Sequence, residues 1–157
     1  MKKNNERDLD KASIENETFE LVNAVYSLLP SLPETEDWTT TTNLRTTANM
    51  MLFYVAEGVA SSTHSGELYA WSTAKKNAAA MRAMLRLAQT QEMCGIDSSI
   101  IKQIDVLILQ INICIKLALK EDEREEKKRL AGWLKQYKIW KETEIRTDDT
   151  LRDKVNK

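Results

Sequence analysis

LRTTANMMLFYVAEG, residues 44–58, is the stretch whose reading decides the fold. Leu44, Ala48, Met51, Leu52 and Val55, followed by Val59, recur at the three-to-four spacing of one helix face. The four consecutive threonines just upstream, residues 39–42, are weak helix formers, but a threonine can cap. The helix therefore starts within that run. Gly58 reads as its C-terminal cap, with continuation to about Ala60 as the other option.

The same period extends to both sides. A first helix is expected from about Ile14 to Leu29, with Phe19, Val22, Val25, Tyr26 and Leu29 on its inner face and Pro30 and Pro33 stopping it. A third is capped by Ser65 and carries Glu67 in its first turn. It runs through Leu68, Trp71, Ala74, Ala78, Met81, Leu85 and Ala88 to about Met93, and Gly95 ends it. A fourth is capped by Asp97 and carries Ile100, Ile101, Ile104, Leu107, Ile108, Ile111, Ile115 and Leu119, a face wide enough for burial on more than one side. Short loops between such helices predict an all-α protein: an antiparallel, up-down four-helix bundle with a C-terminal helical extension. The expected layout is a flexible N-terminus (1–13), the bundle (14–119), a charged and aromatic helical extension (120–145) and a disordered tail (146–157). In the extension the fourth helix either continues or a fifth begins.

Composition agrees with long helices: 157 residues contain only four Gly and two Pro. Apolar residues make up 42% and charged residues 30%, which fits one globular domain and neither a disordered nor a membrane-embedded chain. Net charge is −1, so bulk charge does not point to nucleic acid, but its distribution is uneven. Residues 1–37 carry 4 basic and 9 acidic side chains, residues 38–95 carry 5 and 3, and residues 96–157 carry 14 and 12. The N-terminus lacks the apolar segment of a signal peptide. The apolar run from Ile100 to Leu119 is broken by Lys102, Asp105 and Lys116, too polar to span a bilayer. The expectation is a cytoplasmic protein without membrane association.

Catalytic chemistry has little to work with. His64 is the only histidine, which excludes a di-iron bundle and a His-rich zinc site, and it reads as a solvated loop residue. Cys94 and Cys114 have no metal-ligand spacing and read as small buried hydrophobes. There is no P-loop and no GxGxxG. No enzymatic activity, metal or cofactor is expected.

The binding signal lies in KKRLAGWLKQYKIWK, residues 127–141. Lys127, Lys128, Arg129, Lys135, Lys138 and Lys141 supply six cations with no acid among them, interleaved with Trp133, Tyr137 and Trp140. Lysines neutralise phosphates and exposed aromatics stack on unpaired bases. Leu130, Trp133, Tyr137 and Trp140 also share one helical stripe, so packing on the bundle or on another subunit is an equally open reading, and membrane-surface contact a third.

From Leu32 to Gly58 the sequence resembles a four-helix-bundle family. It includes the proteins encoded in intervening sequences of 23S rRNA genes and the accessory variability proteins of diversity-generating retroelements. Leu32-Pro33, Glu36, Trp38, Leu44-Arg45 and Val55-Ala56-Glu57-Gly58 fall at the family's spacing without a gap. Glu67 and Leu68 leading to Ala74 match the next helix in outline, and the resemblance covers about residues 14–119. Asn43, Thr46, Thr47, Met50, Met51 and Tyr54 depart from the motif, as do Lys76, Asn77 and Ala80 in the third helix. The resemblance implies a ring-like homo-oligomer, a pentamer, and, in the retroelement branch, a non-enzymatic partner of a reverse transcriptase that binds RNA or DNA through a basic surface. Under that reading Arg45, Arg82, Arg86 and the 127–141 segment are the candidate phosphate contacts. The alternative is a structural protein–protein interaction module without nucleic-acid binding.

Overall fold

A computed structural model of the chain describes residues 11–32, 40–91 and 95–155. Helix α1 spans Lys11–Leu28 and closes in a 3-10 turn, Leu29–Ser31; α2 spans Thr40–Ala60, α3 His64–Thr90 and α4 Ser98–Val155. No strand occurs among the described residues. The chain divides into two compact units, residues 1–119 and 120–157, and α4 contributes to both.

In the first unit all four helices bury one face in a common core, so the all-helical bundle character follows from the contacts. Leu44, Ala48, Met51 and Val55 of α2 are fully buried, as the periodicity requires. Trp71, Ala74, Ala78, Met81, Leu85 and Ala88 of α3 join them, as do Ile100, Ile101, Ile104, Leu107, Ile111 and Cys114 of α4. Each large aliphatic side chain removed from water contributes about 1.5–3 kcal/mol before entropy is counted. The closest pairs are α1–α2 and α2–α3. Small residues let the α2–α3 backbones approach: Ala48 and Gly58 on one side, Ala70, Ala74 and Ala78 on the other. On the α4 side, longer Ile and Leu side chains fill the core. Asp105 ties α4 to α3, accepting from Arg82 at 2.6 Å while Arg86 lies 3.6 Å from its second carboxylate oxygen.

Several helix ends differ from the sequence reading. Lys11 already belongs to α1, so the helix begins inside the segment expected to be flexible; its ammonium lies 2.5 Å from Glu67, and that pairing anchors it. Phe19 and Tyr26 were expected on the core face but are 52% and 38% exposed. Val22, Val25 and Leu29 are buried as expected, and Ile14, Thr18 and Leu21 complete that face. Thr18 is tolerated there because its hydroxyl donates to the Ile14 carbonyl at 2.7 Å. Gly58 is not a cap but sits buried inside α2, which runs on to Ala60, the other end that its sequence allows. At α3 the cap is Thr63, not Ser65, and its side chain accepts from the Gly66 N–H at 3.2 Å. His64 is then the first helical residue rather than a loop residue. Asp97 caps α4 as expected, accepting from the Ser99 N–H at 2.9 Å.

α4 continues without a break through residue 120, which settles the choice between continuation and a fifth helix. It also runs to Val155 over residues whose polar composition reads as disordered. That stretch contains neither Gly nor Pro, so nothing in it opposes the helix. Met93, Cys94, Pro33, Glu36 and Trp38, each given a role above, lie outside the described residues. No described helix is long and apolar enough to cross a membrane.

Candidate nucleic-acid interface

In the second unit, residues 120–143 form an uninterrupted helical surface with little buried side-chain area. Acidic residues 121–126, relieved by Arg124, precede the cationic stretch, and Arg124 pairs with Glu121 at 3.4 Å. From Lys127 to Lys141 every side chain is exposed. Spacings of three and four place Leu130, Trp133, Tyr137 and Trp140 along one side of the helix. Their rings form a ladder. Trp133 and Tyr137 stack with centroids 5.5 Å apart and planes 13° from parallel. Tyr137 and Trp140 follow at 5.9 Å and 34°. Trp133 and Trp140 are each 57% exposed, and Leu134 and Ile139 are also open to solvent. Lys138 directly follows Tyr137, and Lys141 directly follows Trp140, so a cation lies about 100° around the helix from each of those rings.

The other candidate cations are differently placed. Arg82 and Arg86 come together, but around Asp105, so a phosphate would have to displace an internal carboxylate. Arg45 is exposed on α2. Of the remaining motif residues, Ala56 is half-buried, Glu57 is exposed and Gly58 is buried. The indole of Trp71 lies directly over Gly58: a Cβ there would sit 2.8 Å from the indole Cε2. The glycine that terminates the motif therefore serves close packing, a role its sequence position did not disclose.

The sequence also concealed a buried polar group at one end of the first unit. Glu67 is 8% exposed. One carboxylate oxygen accepts from the Trp71 Nε1–H at 3.2 Å and faces the Lys11 ammonium, and His64 Nδ1 lies 3.9 Å from the other oxygen. Read as a first-turn acid, Glu67 gave no sign of burial, although the i,i+4 spacing to Trp71 could have suggested the hydrogen bond. Burial pushes the Cys114 thiol up to about 11, which makes it a poor nucleophile.

Among the described residues, no set of three or more His, Cys, Asp or Glu is gathered as a metal would require. A groove of about 650 Å³ between α1 and α4 is lined by Ser13, Glu17, Glu20, Lys102, Gln103 and Val106, and in it the Ser13 hydroxyl donates to Glu17 at 3.0 Å on the exposed face of α1. No family model, curated protein or solved structure matches the chain.

Proposed function

We propose that the protein is a non-catalytic accessory factor. It binds RNA through the cationic, aromatic surface of residues 127–141 and associates with itself through faces of an up-down bundle. The observation that carries this reading is the stretch itself: six cations without an intervening acid, on a helical segment whose side chains are all exposed and which also displays two tryptophans and a tyrosine. Such a surface neutralises a phosphate backbone and gains affinity by releasing counterions. Self-association is supported by apolar side chains that the first unit leaves in water: Phe19, Phe53, Tyr69, Val106 and Leu109 are all more than half exposed. The family resemblance makes a reverse transcriptase with its RNA the first partner to test, and a pentameric ring the first assembly.

A binding isotherm with structured RNA at two salt concentrations tests the reading. Affinity should fall steeply with salt, and Lys135→Glu with Lys138→Glu should weaken it without loss of helicity. No binding at low salt would sink RNA contact. A monomer by light scattering at micromolar concentration would sink self-association.

A second reading, docking of an acidic protein segment, draws on the exposed Leu130, Leu134 and Ile139. Those side chains offer apolar area beyond what a phosphate backbone uses. It predicts protein binding that survives when RNA binding is absent.

A further inference from the structure

We infer that the ladder Trp133–Tyr137–Trp140 is a stacking platform for unpaired bases, so that this surface takes a single strand in preference to a duplex. The inference rests on the nucleic-acid reading above and specifies its ligand.

Rings held in a stack are already ordered on one another. Trp133 and Tyr137 are nearly parallel, 13° apart, and the two tryptophans at the ends of the ladder are each 57% exposed. A duplex keeps its base faces inside its own stack and offers this surface only phosphates. A single strand offers both phosphates and π-faces, and base–aromatic stacking is indifferent to sequence because every base has a π-face. Over residues 127–141, about 22 Å of helix at 1.5 Å per residue, cations and rings alternate closely enough for one strand to use both.

A second copy of the same helix is a poorer occupant. Covering the Leu130–Trp140 stripe with its own copy lays the cationic stretch on itself in either direction. Lys135 itself lies on the far side of the helix from the stripe, but an antiparallel pair centred on it brings Arg129, at the stripe's edge, to the level of Lys141, and a parallel pair sets each flanking cation at the level of its own counterpart. The stripe thus calls for an anionic occupant, and its rings call for one with exposed aromatic faces.

The test uses the full chain with an oligouridine of about 20 nucleotides, longer than the roughly 4–16 nucleotides occupied by single-strand-binding modules, and with an RNA duplex of equal length. The single strand should bind more tightly and quench tryptophan emission. Trp133→Ala and Trp140→Ala should each weaken it about tenfold, within the range of one lost base stack, and leave duplex affinity unchanged. Lys135→Glu should weaken both ligands. If both ligands bind equally and the tryptophan variants change neither, the inference fails while nucleic-acid binding stands. If neither ligand binds, the functional reading fails with it. If the tryptophan variants instead lower the mass measured by light scattering, the stripe is a subunit contact and the inference is overturned.

Discussion

The indole of Trp71 occupies the space that a Cβ at residue 58 would need, 2.8 Å from Cε2 and 2.9 Å from Cδ2. Gly58 is buried within α2, where glycine is the weakest helix former after proline. The contact therefore outweighs the propensity cost of roughly 1 kcal/mol.

Replacing Gly58 with Ala gains that propensity but drives a methyl group into a fully buried ring. Overpacking costs about 1–3 kcal/mol, so the net effect should be destabilising. Gly132 is the internal control: nothing lies within 4 Å of a Cβ there, so Gly132→Ala should raise helicity and stabilise by up to about 1 kcal/mol. Chemical denaturation followed by circular dichroism measures both, and the same sign at the two positions would refute the packing account.

Glu67 accepts from the indole N–H of Trp71 and receives Lys11. Glu67→Gln keeps an acceptor for the indole N–H, whereas Glu67→Leu leaves that donor buried without one. The leucine variant should lose about 1–3 kcal/mol more than the glutamine variant. Equal losses in thermal unfolding would mean that the indole hydrogen bond contributes nothing.

Asp97 has a carboxyl held below its ordinary value of 3.8, chiefly by the hydrogen bond from the Ser99 hydroxyl and then by the Ser99 backbone N–H. A depressed folded-state value stabilises above the unfolded one and is lost as pH falls through the folded one. Asp97→Ala should therefore lower Tm at neutral pH, and the gap to the wild type should narrow below pH 3.8. Melting curves across that range test the sign.

Cys114 shows the opposite linkage. Burial raises its thiol from 9.0 to about 11, so the folded chain holds this proton more tightly than the unfolded one. Its contribution is complete below pH 9.0 and drains away as pH rises towards about 11. In a Cys94→Ser background, a thiol reagent at mildly alkaline pH should label Cys114 slowly in the folded protein and rapidly in denaturant. Rapid labelling of the folded protein would contradict its burial.

Salt dependence gives a count of phosphate contacts. If all six cations of residues 127–141 contact phosphates of one strand, the logarithm of affinity should fall with that of salt at a slope near −4, from about 0.7 per contact. Replacing Lys138 with Gln should make the slope shallower by less than one. A slope near zero would place binding on some other surface.

The reach of the sequence follows from what each residue type can signal. Leu44, Ala48, Met51 and Val55 have one stable place, so the period of three to four found the α2 core face directly. In α1 the same rule selected Phe19 and Tyr26 because aromatics weigh heavily, and missed Thr18, whose hydroxyl is satisfied by its own helix. Gly58 looked like a cap because the feature that explains it, an indole 13 positions further on, is a tertiary contact. Glu67 and His64 were misread for the same reason: burial of a charge depends on a partner such as Lys11, 56 residues away. The cationic stretch was legible because its composition is unlike the rest of the chain. Its partner was not, since lysine and tryptophan serve phosphates, bases and acidic peptides alike.

The buried core ends at Ala118, and none of the residues from Lys127 to Lys141 is needed to fill it. The two halves of α4 thus answer to different selection. A substitution before Ala118 is judged by whether the chain still folds, and one at Lys127–Lys141 only by what the protein holds. Such a division lets recognition drift or be retuned at little cost to the scaffold, and it makes the second half of the helix the natural place to redirect the protein by design.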